Sequence, residues 1–469
     1  MAATILASAM AFIDGTIVTI ALPLIRDDLA ASFGATQWVV NAYALFLGSL
    51  ILIGGAAGDR FGRRRIFSIG IAVFALASIA CAAAPSAGAL IAARAAQGIG
   101  AAMLVPQSLA IIAANFPPEA RGRAIGLWAG ASALTTALGP PLGGLLIDSF
   151  GWRSIFWINL PFSLLALWLA LAKVRESRDE AQTGPLDWPG AATAILAFGL
   201  LTIGLTRFAE SGGANGTVLA LGAAGLAAGA AFLALERRAQ SPLIPLSLFR
   251  NQRFVGVNLM TLFLYGALGA TLFLLPFDLI ERRGLTATQM GLALLPFGLI
   301  IGAVSRFSGQ WADAVGVRTP ILTGTLLVAL GSGWLALMFA PFWLGVLAPI
   351  LVIGFGMGLV VAPLTTAVMN AAPEGKAGAA SGINNAASRL AGLFAIVFAG
   401  VLTSLVFAGR SEGADFGALP PPSAPARAAL EAAFMQAYSA AMWMTFTWCL
   451  MAAIIAFYFL REAASAEPR

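Results

Sequence analysis

The chain is 469 residues long, 59% hydrophobic and 10% charged, with a mean hydropathy of +0.89 and a formal net charge of +6. A soluble domain carries about a quarter of its residues as charges, so this composition excludes one and identifies an integral membrane protein. The positive balance does not read as a nucleic-acid footprint, because the basic residues stand singly or in short loops between apolar stretches. There is no histidine, and both cysteines, Cys81 and Cys449, fall inside apolar stretches, so no metal centre, disulfide or cofactor is expected.

The first apolar stretch, 4–24, contains "ASAMA", which imitates a signal-peptide cleavage site. No Lys or Arg precedes it and the run continues to Leu24, so it reads as a membrane span. A crossing takes roughly twenty apolar residues. Such stretches recur at 37–57, 66–84, 88–113, 124–147, 154–172, 189–207, 216–235, 254–280, 287–309, 319–339, 343–369, 379–408 and 437–460. The predicted fold is therefore all-α, with fourteen transmembrane helices. With the N-terminus inside, the loops on its side hold 15 Lys and Arg and the loops on the other side 6, which places both termini in the cytoplasm. The longest connection, 409–436, is rich in Ala, Pro and Gly and is expected to be an external spacer with little fixed structure, a lid being the alternative.

After the second stretch comes "GAAGDRFGRRR", with Gly55, Asp59, Gly62 and Arg64. After the tenth comes "GQWADAVGVR", with Gly309, Asp313, Gly316 and Arg318 in the same spacing, 254 residues later. "PEAR" from Pro118 and "PEGK" from Pro373 repeat at an offset of 255. Two loops thus report one duplication. Residues 1–172 and 254–469 are expected to form equivalent six-helix bundles, with 173–253 a linker that carries two inserted helices. Repeated bundles with a site between them suit alternating access.

Asp14 lies about 15 Å into the first stretch, roughly half way through the hydrocarbon core. It is the only acid at mid-depth in a predicted span, since Asp148, Asp278, Glu236 and Glu462 fall at span ends, where water or headgroups reach them. Desolvation favours a protonated carboxyl and a nearby cation favours the ionised one, so an acid so placed suits a proton switch. The alternative is a protonated acid hydrogen-bonded to a neighbouring helix. Arg94, with Gln97 and Gly98 on its face, is either part of a functional pair or a snorkelling side chain near a helix start. "LGPPLGG" in the fifth stretch sets Gly139, Pro140, Gly143 and Gly144 where a kink, a hinge or close packing is expected.

The stretches "IDGTIVTIALP", "GAAGDRFGRRR", "RAAQGIGAAM", "GPPLGG" and "GWRSIFWINLP" together resemble the fourteen-span drug:proton antiporter branch of the major facilitator superfamily. The resemblance covers essentially the whole chain; Thr19 departs from it, standing where related transporters often carry Asn. It implies that Asp59, Arg60 and Arg63, with Gly55, Gly62 and the repeated Gly309, Asp313, Gly316 and Arg318, gate the cytoplasmic side. It also implies that Arg94 takes part in proton coupling with Asp14, and that the Gly139–Gly144 pattern marks an antiporter. The span interiors offer mainly aromatic, aliphatic and small residues and few polar ones, which suits amphipathic, often cationic, organic molecules. Candidate lining residues are Met10, Asp14, Trp38, Asn41, Tyr43, Gln97 and Gln107.

The expected function is proton-coupled export of such molecules across the inner membrane. A metabolite or lipid exporter of the same fold and a non-transporting sensor or scaffold stay open, while no nucleophile or metal cluster supports an enzyme. The expected partners are substrate, protons and the bilayer. A monomer is expected, and a periplasmic adaptor stays open. This reading has Asp14 facing a central cleft, and Asp14→Asn abolishing pH-driven efflux while leaving the fold intact.

Overall fold

Every apolar stretch becomes a helix long enough to cross a membrane. In a computed structural model that describes residues 1–179, 185–239, 242–338, 340–373, 376–409, 416–417, 419 and 425–460, the helices are α1 Ala2–Asp28, α2 Phe33–Phe61, α3 Arg63–Ala82, α4 Ala87–Asn115, α5 Ala120–Phe150, α6 Ser154–Lys173, α7 Trp188–Glu210, α8 Gly216–Arg238, α9 Gln252–Arg282, α10 Ala287–Val315, α11 Arg318–Ala336, α12 Trp343–Asn370, α13 Gly378–Ala408 and α14 Arg427–Phe459. Most run past their apolar stretches, because an apolar run ends at the first charge whereas the backbone stays helical until a cap stops it. Ser32, Ser86, Asn215 and Thr286 side chains accept from the first-turn amides of α2, α4, α8 and α10. Helix α14 begins ten residues earlier than its apolar run, at Arg427, which shortens the last connection.

Matching turns and contacts recur at the repeated sequence positions. Gly62 (φ 106°) and Gly316 (φ 81°) occupy matching turns after α2 and α10, in a region of φ that side chains disfavour. Gly70 of α3 meets the Gly100 carbonyl of α4, and Gly324 of α11 meets the Gly356 carbonyl of α12, so the same small-residue contact closes both pairs. Residues Glu374 and Gly375 of the second "PEGK" loop, Glu462 and the C-terminal end lie outside the described residues.

Helix α1 packs on α5 and α6, α2 and α3 on α4, and α3 on α6; α9 packs on α13 and α14, α10 and α11 on α12, and α11 on α14. Two seams join these sets, α5 against α10 and α2 against α13, and the repeat exchanges one for the other. Helix α7 lies along the α2–α13 seam, with Phe198 edge-on to Phe394 at 5.7 Å, and α8 rests on α7. Helices α7 and α8 therefore flank one seam.

Candidate functional site

Asp14 and Arg94 meet inside the first six helices. Arg94 Nη1 stands 2.5 Å from Asp14 Oδ2, and each residue is 1% exposed. Gln97 Nε2 donates to Asp14 Oδ1 at 2.8 Å and Asn159 Nδ2 to the same oxygen at 3.3 Å, while both amides also reach Ser78 Oγ. Arg94 Nη1 donates to Gln97 Oε1 at 2.6 Å and Nε to the Val39 carbonyl at 3.0 Å, with the guanidinium 4.3 Å above the Tyr43 ring. Helices α1, α2, α3, α4 and α6 thus converge on one ion pair. The Arg94 head is fully enclosed, so it does not snorkel. Asp14 faces this network and not a cleft between the halves, because the donors that solvate a carboxylate are all on the neighbouring helices of its own set.

A cavity of about 570 Å³ lies elsewhere, between the two helix sets. Its wall on the first set is aromatic and aliphatic, including Phe12, Leu52, Val105 and Trp128, the last held by a bond from Nε1 to Ser8 Oγ at 3.0 Å. The opposing wall is α13, with Gly378, Ser381, Gly382, Asn385 and Arg389 at helical spacing. Asp59, Arg60 and Asp187 line its mouth on the face that carries the basic loops.

None of the seven candidate lining residues faces this cavity. Met10 is buried with Ser163 donating to its sulfur at 3.2 Å, and the Tyr43 hydroxyl donates to the Ala11 carbonyl at 3.4 Å. Gln97 serves the Asp14 network, and Gln107 Nε2 bonds the Gly54 and Gly55 carbonyls at 2.8 and 3.2 Å, joining α4 to α2. Asn41 is fully buried with neither amide atom hydrogen-bonded among the described residues, and Trp38 is half-buried. Polarity within a span marks helix-to-helix bonding as readily as a wet cavity.

At the basic face Asp59 pairs with Arg63 at 2.7 Å, and Arg60 lies over the Phe61 ring at 5.3 Å. The Glu176 carboxylate, just after α6, accepts from the Arg64 and Arg65 amides at 2.9 and 3.1 Å, and Ser177 and Asp179 add backbone bonds to Arg63 and Asp59. In the repeated loop Asp313 is exposed, Val317 stands where the first loop has Arg63, and Arg318 instead donates to the Phe457 carbonyl at 3.1 Å. The two loops share a turn but not an ion pair.

The opposite face is closed across both helix sets. Along the α5–α10 seam a methyl added at Gly144 would collide with the Ala287 carbonyl, and one at Gly291 with the Pro140 carbonyl. Gly139 and Gly143 abut Thr16 and Ile17 of α1. The seam ends where Asp148 accepts from the Ala287 and Thr288 amides at 3.2 and 2.8 Å, a carboxylate at the N-terminus of α10. Phe416, from the last connection, stacks on Phe434 at 4.8 Å and meets Phe33 edge-on at 5.0 Å, while Arg26 donates to its carbonyl at 2.7 Å. That part of the connection is thus an ordered plug and not a spacer. Replacing Asp148 with Ala removes a charge–dipole contact worth about 1 kcal/mol, so the population open at this face should rise roughly fivefold. Distance distributions between spin labels at Phe150 and Leu292 read it; an unchanged distribution would exclude the latch.

Three residues passed over in the sequence carry much of the site. Arg389 stands about 16 Å into α13, the same mid-span criterion that singles out Asp14. Asn159 and Ser78 look like ordinary span polar residues, and only packing brings them to Asp14. Asp278 and Glu236, expected to reach water, are 1% and 3% exposed, because Arg282 and Arg283 fold over Asp278 and the Ile244 amide donates to Glu236.

A family model described as the Major Facilitator Superfamily matches residues 4–396. The multidrug resistance protein Stp of Mycobacterium tuberculosis is 38% identical over 381 residues, spanning 80% of this chain and 70% of that protein. The tetracenomycin C resistance and export protein of Streptomyces glaucescens is 34% identical over 397 residues, spanning 84% of this chain and 73% of its own. Among solved structures, a bacterial homolog of the human lysosomal transporter Spinster, inward-facing and unoccupied, aligns with a TM-score of 0.71 at 18% identity over 98% of this chain and 96% of that one, which shows a common fold. With fourteen apolar helices among the described residues, two packing-equivalent sets and a cavity between them, the chain belongs to the Major Facilitator Superfamily and is a multi-pass membrane transporter, not an enzyme.

Proposed function

We propose that this protein exports amphipathic organic molecules across the inner membrane by proton-driven alternating access. The moving parts are residues 1–172 and 254–469, with 173–253 the linker that carries α7 and α8. The observation that carries the reading is the cavity of about 570 Å³ between the helix sets, which reaches the basic face while the Gly144, Asp148 and Phe416 contacts close the other. Its size suits a drug-sized ligand, and its aromatic wall offers area without many fixed polar partners. The export and resistance proteins among the relatives support the same direction. The positive-inside rule supports a cytoplasmic basic face, and the even number of crossing helices among the described residues supports both termini on that side.

In this mechanism Asp14 takes the coupling proton. Protonation removes the countercharge of Arg94, so the network across α1, α2, α3, α4 and α6 must rearrange, and α1 carries the change to Phe12 in the cavity wall two residues away. One pH unit is worth about 1.4 kcal/mol, so the pH term of a one-for-one exchange by itself sustains roughly a tenfold gradient.

Overproduction in a drug-sensitive host, screened against dyes, antiseptics and antibiotics, tests the proposal. Raised resistance to several amphipathic compounds, lost on collapse of the pH gradient, is the expected result. Resistance to none, with ordered lipid filling the cavity, would move the reading to lipid export.

A further inference from the structure

The charge that lines the cavity at depth is a cation, and among the described residues no carboxylate pairs with it. Arg389 lines the cavity from α13, its Cβ packed 3.3 Å from where a methyl at Gly48 of α2 would sit, and its Nε is buried with no hydrogen-bond partner among the described residues. The acids that line the cavity, Asp59 and Asp187, sit at the mouth and not at depth; Asp59 pairs with Arg63, and Asp187 Oδ1 accepts from the Gly190 amide at the start of α7 while its Oδ2 has no hydrogen-bond partner among the described residues. Asp14 is sealed against Arg94. Ser381 and Asn385, eight and four residues before Arg389, continue its face toward the mouth and make a polar track along one wall. The facing wall, with Phe12, Leu52, Val105 and Trp128, is apolar.

We propose that Arg389 is a substrate-binding residue that selects organic anions: drug-sized aromatic or aliphatic molecules bearing a carboxylate or comparable acidic group. A buried guanidinium donor without a partner is costly, and a carboxylate accepts two of its N–H groups side by side. The apolar body then lies on the Phe12 and Trp128 wall while the acid reaches Arg389, and Ser381 and Asn385 supply neutral hydrogen bonds along the way in. A cationic substrate finds no acid at depth and meets repulsion there. The preference for cations that the sequence suggests rests on Asp14 facing the cavity, and Asp14 does not. Exchange of an exported anion for an entering proton also moves two charges, so an inside-negative potential drives it as well as the pH gradient.

This inference rests on the export reading, and its test separates the two. Fluorescein and rhodamine 6G share a xanthene skeleton and carry opposite charge. Their binding to the full-length protein in phosphatidylcholine nanodiscs, read by fluorescence anisotropy, is compared across variants in the same lipid, so that partitioning into the bilayer cancels. Arg389→Gln should weaken fluorescein at least tenfold and leave rhodamine 6G within threefold. Arg389→Lys should hold fluorescein within threefold of the wild type, and Arg389→Glu should reverse the preference. Equal loss of both dyes in Arg389→Gln, or loss of neither, overturns the assignment. Displacement of fluorescein by phosphatidylglycerol added to the nanodisc lipid would give the site to a lipid headgroup and overturn it too. If the wild type binds neither dye, the charge preference among the resistance-panel compounds decides. A panel exported without regard to charge in both wild type and Arg389→Gln ends the anion proposal alone, and a panel that is not exported ends the export reading and this inference with it.

Discussion

Asp14→Asn is expected to destabilise the protein by about 3–5 kcal/mol as well as to abolish pH-driven efflux, because it leaves a fully enclosed guanidinium without its countercharge. Arg94 is 1% exposed and its Nη1 shares Asp14 Oδ2 and Gln97 Oε1, so no water is at hand to solvate the charge once the carboxylate is gone. The neutral amide of Asn keeps an acceptor but not the charge. The paired replacement Asp14→Asn/Arg94→Gln removes both charges and should recover most of the lost stability, yet it should not recover coupling. Thermal unfolding in detergent reads the first effect and dye efflux from everted vesicles the second. Recovery of both in the double variant would make the pair a structural device. Full stability in the single variant would mean that Arg94 has another partner in the working protein.

Gly144→Val is expected to have the next largest effect, through the seam and not through the proton site. The added carbons would overlap the Ala287 carbonyl and the Thr288 Cα, both backbone atoms that no rotamer change can move. Overpacking costs about 1–3 kcal/mol, which at 1.4 kcal/mol per decade biases the conformations by roughly 5- to 150-fold. The bias is one-sided, since the clash exists only when α5 and α10 are closed at this face. The distance between spin labels at Phe150 and Leu292 should lengthen, and efflux should slow because the cytoplasm-facing cavity is rarely reached. Gly130→Val is the control: it lies on the same helix with open space around its Cβ direction, and it should change neither readout. Slower efflux with an unchanged distance would point to a local packing defect.

The fold was readable because each crossing helix must carry its own twenty or so apolar residues, and because Gly62 and Gly316 mark the same turn twice. Helix ends were less so: Arg427 begins α14 amid Ala and Glu, residues that form helix without being apolar. The Asp14–Arg94 pair was half legible. A lone mid-depth acid and a nearby arginine were conspicuous, but which way each faced depended on Ser78, Gln97 and Asn159, and nothing local distinguishes a polar residue that braces helices from one that meets substrate. The cavity was missed for that reason. Its first wall is built of ordinary apolar residues, and its deep polar anchor, Arg389, lies in the predicted stretch 379–408, where no motif marks it. The Gly139–Gly144 pattern was seen, but a sequence gives no sign that its partner across the seam is Gly291 of the other half.

The account stands on the coupling proton residing at Asp14 while substrate occupies a separate cavity. Proton release on substrate binding tests this most directly, measured with a pH indicator in weakly buffered solution as the best-exported panel compound is added to purified protein. The wild type should release protons as the compound binds, up to one per transporter at a pH where Asp14 is protonated beforehand, as reciprocal linkage requires. Asp14→Asn/Arg94→Gln should bind the compound with similar affinity and release none. Equal release from the double variant would place the coupling proton elsewhere and contradict the account.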